Sequence, residues 1–288
     1  MKMFPRRVAV ACGIAVAVSV VAQAQWLTHR TPGVPRLADG RVDVSAPAPR
    51  QADGTPDLSG VWQVEATPEK EMRALFGKLN DIGVLGDNLQ GDSKYFLNVL
   101  ADFSPEASPM RPETAAQFER LSATRGRLSP TANCLPPGLT QADLAPAPLK
   151  IVQAPGVIVV LYENFGGHRQ IYLDGRAFPP DPQPLWLGYS VGHWEGDTLV
   201  VDSRGFNDKS RLDALGHPHS ESLHVVERFH RRDVGRMDVS LTVEDAAMYR
   251  RPFTVTAVDR LVPDSDVGEF YCAENEKDLA HMTMGQRK

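Results

Sequence analysis

Cysteine, aromatic residues and excess basic charge are all scarce in this sequence. Of 288 residues only three are Cys, and aromatics make up 7%. Lys and Arg number 31 against 36 Asp and Glu, a formal net charge of −5, which excludes a simple electrostatic nucleic-acid binder. There is no phosphate-binding loop, dinucleotide fingerprint, EF-hand or haem-attachment motif, so no cofactor is expected. What the chain does have is turn-forming material, 23 Gly and 23 Pro. That argues against a helical bundle and for many short elements joined by loops.

Residues 1–24 read as an export signal. Lys2, Arg6 and Arg7 precede an uncharged run from Val8 to Val21, and Ala22-Gln23-Ala24 follows as a small-x-small cleavage site. The run is shorter than the roughly 20 apolar residues that cross a bilayer. No membrane span is therefore expected in the mature chain, and the expected location is periplasmic or secreted. The segment before Cys12 is a poor lipoprotein signal, while Arg6-Arg7 also allows a twin-arginine route. Three basic and no acidic residues lie in this segment, so the remainder carries 28 against 36, or −8. Cys134 and Cys272 remain, and in an oxidising compartment they are expected to form a disulfide. Closing so long a loop stabilises by about 4–5 kcal/mol in the entropic model. A zinc site would need closer Cys spacing.

After the signal, residues 25–56 form a Pro- and Ala-rich arm expected to be extended. Residues 57–275 are read as a single β domain, with a helical insertion at about 68–128 and a tail at 276–288. Within the insertion, apolar residues recur at helical spacing over 69–79, 93–103 and 112–122. Beyond Cys134 the period changes to two. With residues 60–64 included, about ten short strands follow one another, most as hairpins. The predicted fold is mainly β, an antiparallel barrel of lipocalin or calycin type.

Several segments carry a resemblance. They are Pro56-Asp-Leu-Ser-Gly-Val-Trp62, Gly188-Tyr-Ser-Val-Gly-His-Trp-Glu-Gly-Asp-Thr-Leu-Val-Val-Asp202, Gly205-Phe-Asn-Asp208 and Gly216-His-Pro-His-Ser-Glu-Ser-Leu-His-Val-Val-Glu-Arg-Phe229. In these, the chain resembles a family of exported bacterial β-rich hypothetical proteins. The resemblance implies export and a shared β-rich fold, and supplies no activity and no catalytic residue.

Strand parity points to chemistry. In residues 223–231, Leu223, Val225, Glu227 and Phe229 share one face and His224, Val226, Arg228 and His230 the other. Glu227 on an apolar face is a candidate general acid or base. It could equally be a structural partner for an Arg on a neighbouring strand, such as Arg169. The same test places Glu163, Tyr189, His193 and Asp259 on apolar faces and predicts a cavity inside the barrel. His219 or His224 would relay protons, while Tyr189 and Arg228 would hold an oxyanion, although parity turns Arg228 away. Arg169, His193, Trp194 and Asn207 would contact the substrate. Ser220 beside His219 suggests a Ser–His pair, without the usual nucleophile elbow. His217, His219 and His224 form the alternative, a metal site. The expected function is a cofactor-independent lyase, isomerase or hydrolase acting on a small apolar or aromatic molecule. The other reading is a binding protein for a hydrophobic ligand.

Overall fold

The computed structural model describes residues 30–81, 91–124, 126–272 and 274. The export signal at 1–24, the start of the arm and the tail at 276–288 lie outside the described residues.

Nine strands close into a barrel in sequence order. They are β1 (Gly60–Val64), β2 (Leu149–Ala154), β3 (Val157–Tyr162), β4 (His168–Tyr172), β5 (Tyr189–Glu195), β6 (Thr198–Arg204), β7 (His224–Arg231), β8 (Arg236–Glu244) and β9 (Phe253–Leu261). Closure is made by a short ladder between β1 and β9, with Trp62 opposite Leu261 and Val64 opposite Asp259. The expected tenth strand is absent, since residues 269–272 run without strand structure.

The barrel is not wholly antiparallel either. β4 and β5 pair parallel, through Ile171↔Ser190 and Tyr172↔Val191. Their connection, residues 173–188, carries Pro179, Pro180, Pro182 and Pro184. Proline cannot donate to a ladder, so this segment forms no tight hairpin and returns the chain to start β5 in the same direction as β4. The other short turns follow the sequence. Between β5 and β6, for example, Gly196 adopts φ +59°, a conformation costly for other residues.

The interior is packed with side chains. Trp62, Ile158, Ile171, Val201, Val225 and Leu241 belong to one buried cluster drawn from most of the strands. Each such side chain contributes about 1.5–3 kcal/mol on burial. The parity reading holds for β7, where Val225, Glu227 and Phe229 are buried. It also holds for β9 and β4, where Asp259, Arg169 and Ile171 are buried.

It fails for β3 and β5. In β3 the buried residues are Ile158, Val160 and Tyr162, whereas Val157, Val159 and Leu161 are half-buried. Glu163 lies beyond the strand and accepts from the Gly268 N–H at 2.8 Å. In β5, Ser190 is buried and faces Ser203, so Tyr189, Val191 and His193 lie on the outer wall. Gly192 shares the inner face, and a Cβ there would sit 2.9 Å from Leu173 and 3.3 Å from the Val200 carbonyl.

Between β1 and β2 the described residues form four α-helices: α1 (Glu69–Asp81), α2 (Lys94–Leu97), α3 (Pro112–Ser122) and α4 (Leu139–Asp143). Met72 and Phe76 of α1 form a small second core with Leu97. α2 is shorter than the apolar spacing suggests, because Asn98 takes extended backbone angles and its side chain accepts from the Leu100 N–H at 2.8 Å. Asn competes with helix propagation in this way. The arm is not free of the domain, since Arg36 pairs with Asp264 and the Val234 N–H donates to Ala46 O at 2.9 Å. Cys134 and Cys272 are bonded to each other, with Cα atoms 5.4 Å apart. No described helix is long and apolar enough to cross a membrane.

Candidate functional site

Two groups of buried polar side chains stand out, one inside the barrel and one in the long loop between β6 and β7. Inside, Arg169 and Glu227 form a doubly hydrogen-bonded ion pair at full burial, with Nη1 2.9 Å from Glu227 Oε1 and Nη2 bonded to Oε2. Arg169 Nε donates to Ser190 Oγ at 2.9 Å, Nη2 to Ser203 Oγ at 3.3 Å and Nη1 to Asp143 Oδ2 at 3.4 Å. A guanidinium has five N–H donors, and all of them are taken.

Asp143 comes from α4, which enters the barrel, and it accepts from Tyr162 at 2.6 Å. Burial, reinforced by the charge of Glu227, pushes the Asp143 carboxyl well above the usual range, and burial does the same to Tyr162. The two Asp143 oxygens both accept, from Tyr162 and from Arg169, and so join the same closed network. Glu227 is thus engaged by the partner that its sequence context named, within a saturated network.

The loop cluster is built differently. Asp213, Ser210, His217 and His219 are all nearly inaccessible. Asp213 accepts from the backbone N–H groups of Gly216 and His217 through Oδ1, at 2.9 and 3.1 Å. Its Oδ2 accepts from the Val99 N–H at 2.8 Å and lies 2.6 Å from His217 Nδ1. The opposite requirements of the two atoms fix the tautomer, because an ionised carboxylate only accepts and Nδ1 must carry the hydrogen. In the neutral ring Nε2 then holds the lone pair, and it makes no hydrogen bond among the described residues. The ring stacks on Phe118 of α3 with centroids 4.1 Å apart and planes 11° apart. His217 and Phe118 line a cleft of about 510 Å³ together with Phe103, Met110, Leu215, Asn98 and Arg250.

His219 has a different environment. Its Nδ1 lies 3.0 Å from Ser220 O and its Nε2 2.7 Å from Ser210 Oγ. Ser210, not Ser220, is the serine at this ring, because Ser220 is bound to Asp245. Burial lowers the His219 pKa. His224 lies on the outer wall between Asp202 and Glu244, at 3.1 and 3.0 Å. The three histidines are therefore held apart by separate partners, and the described residues contain no group of three or more His, Cys, Asp or Glu arranged to hold a metal.

The remaining predicted residues scatter. Arg228 is exposed and bound to Glu195, which His193 also approaches at 3.2 Å. Tyr189 lines a separate cleft of about 380 Å³ on the outer wall beside Trp186. Trp194 packs against the core, and Asn207 caps its own loop by accepting from the Lys209 N–H at 3.0 Å. Sequence reading missed Asp213, Asp143, Tyr162 and Phe118. Only Asp213 left a trace, four residues before His217, in a stretch with no helical period to draw attention to it.

The chain matches no protein-family model, no curated protein and no solved structure. The site is therefore read from its own geometry.

Proposed function

We propose that this is an exported, cofactor-independent acid/base enzyme acting on a small apolar or aromatic molecule. The reaction site is the cleft beside His217, not the interior of the barrel. The observation that carries this reading is the Asp213–His217 pair, whose second ring nitrogen has no hydrogen-bond partner among the described residues, in a cleft that mixes aromatic and polar walls. A histidine oriented by a carboxylate, with Nε2 free, can take a proton from a bound molecule and return it. Phe118, Phe103 and Met110 supply the apolar walls that such a ligand requires. The disulfide supports an oxidising compartment, in keeping with the export signal.

The test is a screen of small aromatic esters, ketones and hydroxy acids for conversion by the full chain, repeated with His217→Gln. Loss of turnover by about 10²–10⁴-fold, in a variant whose circular dichroism spectrum shows the fold retained, is the expected result. Turnover that survives His217→Gln overturns the reading. Tight binding of a hydrophobic ligand with no conversion in either protein supports the binding-protein reading instead.

A further inference from the structure

We infer that the side-chain amide of Asn98 is the donor that holds a substrate carbonyl in this cleft and receives its developing negative charge. The substrate class is then an apolar or aromatic carbonyl compound with a removable proton on the neighbouring carbon. This inference rests on the reading of His217 as the base.

The argument begins with the orientation of the amide. Asn98 Oδ1 accepts from the Leu100 N–H at 2.8 Å, so the oxygen is the end turned toward the backbone and the NH₂ group is turned away. Among the described residues that NH₂ group donates to nothing, while Asn98 is half-buried in the wall of the cleft. Its backbone is fixed by a bond from its own N–H to Lys94 O at 2.8 Å.

The residue that follows ties it to the histidine. The Val99 N–H donates to the same Asp213 Oδ2 that lies 2.6 Å from His217 Nδ1. One carboxylate oxygen thus positions both the proposed base and the chain that carries the amide.

The other polar groups of the cleft are less suited. Ser104 donates its hydroxyl to Glu106, and Ser108 accepts from the Met110 N–H at 3.4 Å and carries a freely rotating hydroxyl not fixed toward the cleft. Its own backbone N–H, and then the Ser104 hydroxyl, lower the pKa of Glu106, and Glu119 can only accept when ionised. Arg250 is a donor, but an exposed one with no hydrogen bond to fix its guanidinium.

The chemistry balances without a further reactant. His217 Nε2 takes the proton from the carbon beside the carbonyl, and the C–H electron pair becomes a C=C bond. The carbonyl π pair moves to oxygen, where the Asn98 N–H donates. Return of the proton from Nε2 to the same or a conjugated carbon restores the carbonyl, with the substrate racemised or isomerised. A preorganised donor at such an oxygen contributes about 10²–10³-fold in rate.

Two probes test this with the full chain. Phenylacetone in heavy water is followed by proton NMR for loss of the protons beside the carbonyl. Para-nitrophenolate, a stand-in for the oxyanion, is titrated by absorbance. Asn98→Asp keeps the acceptor for Leu100 and removes the donor. It is expected to slow exchange about 10²-fold and to weaken phenolate binding about tenfold, without lowering the melting temperature. His217→Gln is expected to abolish exchange while phenolate still binds. If His217→Gln abolishes exchange and Asn98→Asp changes neither readout, the role of Asn98 is overturned and His217 stands. Loss in Arg250→Gln in place of Asn98→Asp moves the anchor to Arg250 and likewise overturns the assignment. Exchange that persists in His217→Gln removes the underlying reading. If the unaltered protein shows no exchange and binds no phenolate, the proposal is overturned.

Discussion

Asp259 offers a test of the barrel seam. It lies on the inner face of β9, 3% exposed, opposite Val64 on β1 and Met237 on β8. Its side chain makes no hydrogen bond or ion pair among the described residues, and burial pushes its pKa up to about 7. In the unfolded chain a carboxyl titrates near 3.8. The folded state therefore binds the proton more tightly. Its contribution to stability is greatest below about pH 4, declines as pH rises through about 7, and is flat above that. At about 1.36 kcal/mol per pH unit, the ionised carboxylate costs the folded state roughly 4 kcal/mol at pH 8 and about 1 kcal/mol at pH 4.5. Asp259→Asn keeps the shape and removes the charge. The substitution should raise the melting temperature by about 10 °C at pH 8 and by only a few degrees at pH 4.5. Thermal unfolding followed by circular dichroism at those two pH values measures the difference. A gap that is the same at both, or an Asn variant no more stable at pH 8, refutes the argument that an unpaired buried charge sits at the seam.

Four further variants probe the packing and the disulfide. Glu227→Gln leaves Arg169 buried without its counter-charge and should cost about 3–5 kcal/mol in urea unfolding. Asp143→Asn sets an amide N–H against Tyr162 or Arg169, the two donors that the carboxyl accepts from, and should cost about 1–3 kcal/mol; an unchanged midpoint would contradict the closed network. Replacing Cys134 and Cys272 by Ser opens a bridge spanning 138 positions and should lower stability by about 4–5 kcal/mol, read as a reduced midpoint relative to the oxidised protein. Gly192→Ala puts a methyl group against Leu173 and Ile171 inside the barrel, and a loss of about 1–3 kcal/mol is expected. An unchanged midpoint would show that the inner face of β5 is looser than described.

How far these features were legible in the sequence depended on where the burying partner lay. β7 could be read because its two faces differ sharply, with His224, Arg228 and His230 on one and Val225 and Phe229 on the other. β3 could not, because Val157, Val159 and Leu161 on the outer face are as apolar as Ile158 and Val160 on the inner. The C-terminal segment meets the turn that follows β3, with Phe270 against Phe165 and Gly268 bonded to Glu163. β5 was misread for a related reason, since its inner face carries Ser190 and Gly192 to make room for Arg169 and the neighbouring strands. Small residues there mark close packing, which a hydrophobicity pattern does not register. The pairing of Cys134 with Cys272 required only a count, whereas the contact of Phe118 with His217 joins segments 99 positions apart and left no local signal.

The choice between the two buried clusters turns on unused bonding capacity. Residue type alone favours the barrel interior, where an Arg, a Glu, an Asp and a Tyr meet among apolar side chains. There, however, every guanidinium N–H of Arg169 has an acceptor and both Glu227 oxygens have donors. A ligand entering that space would have to break charge-assisted bonds in a low-dielectric interior, where each is costly to lose. Such a network fixes β4 to β7 and holds α4 in place, and it has nothing left with which to recognise a second molecule. The loop cluster keeps the complementary property. Asp213 spends both oxygens on positioning, and the groups it positions, His217 and the segment beginning at Asn98, each retain one polar atom facing no protein partner. Both residues line the same cleft, whereas the polar groups inside the barrel between β4 and β7 are bonded to one another. If the barrel is the scaffold and the inserted helices with the β6–β7 loop carry the chemistry, substitutions inside the barrel should change stability first, while those at His217 and Asn98 should change ligand behaviour first.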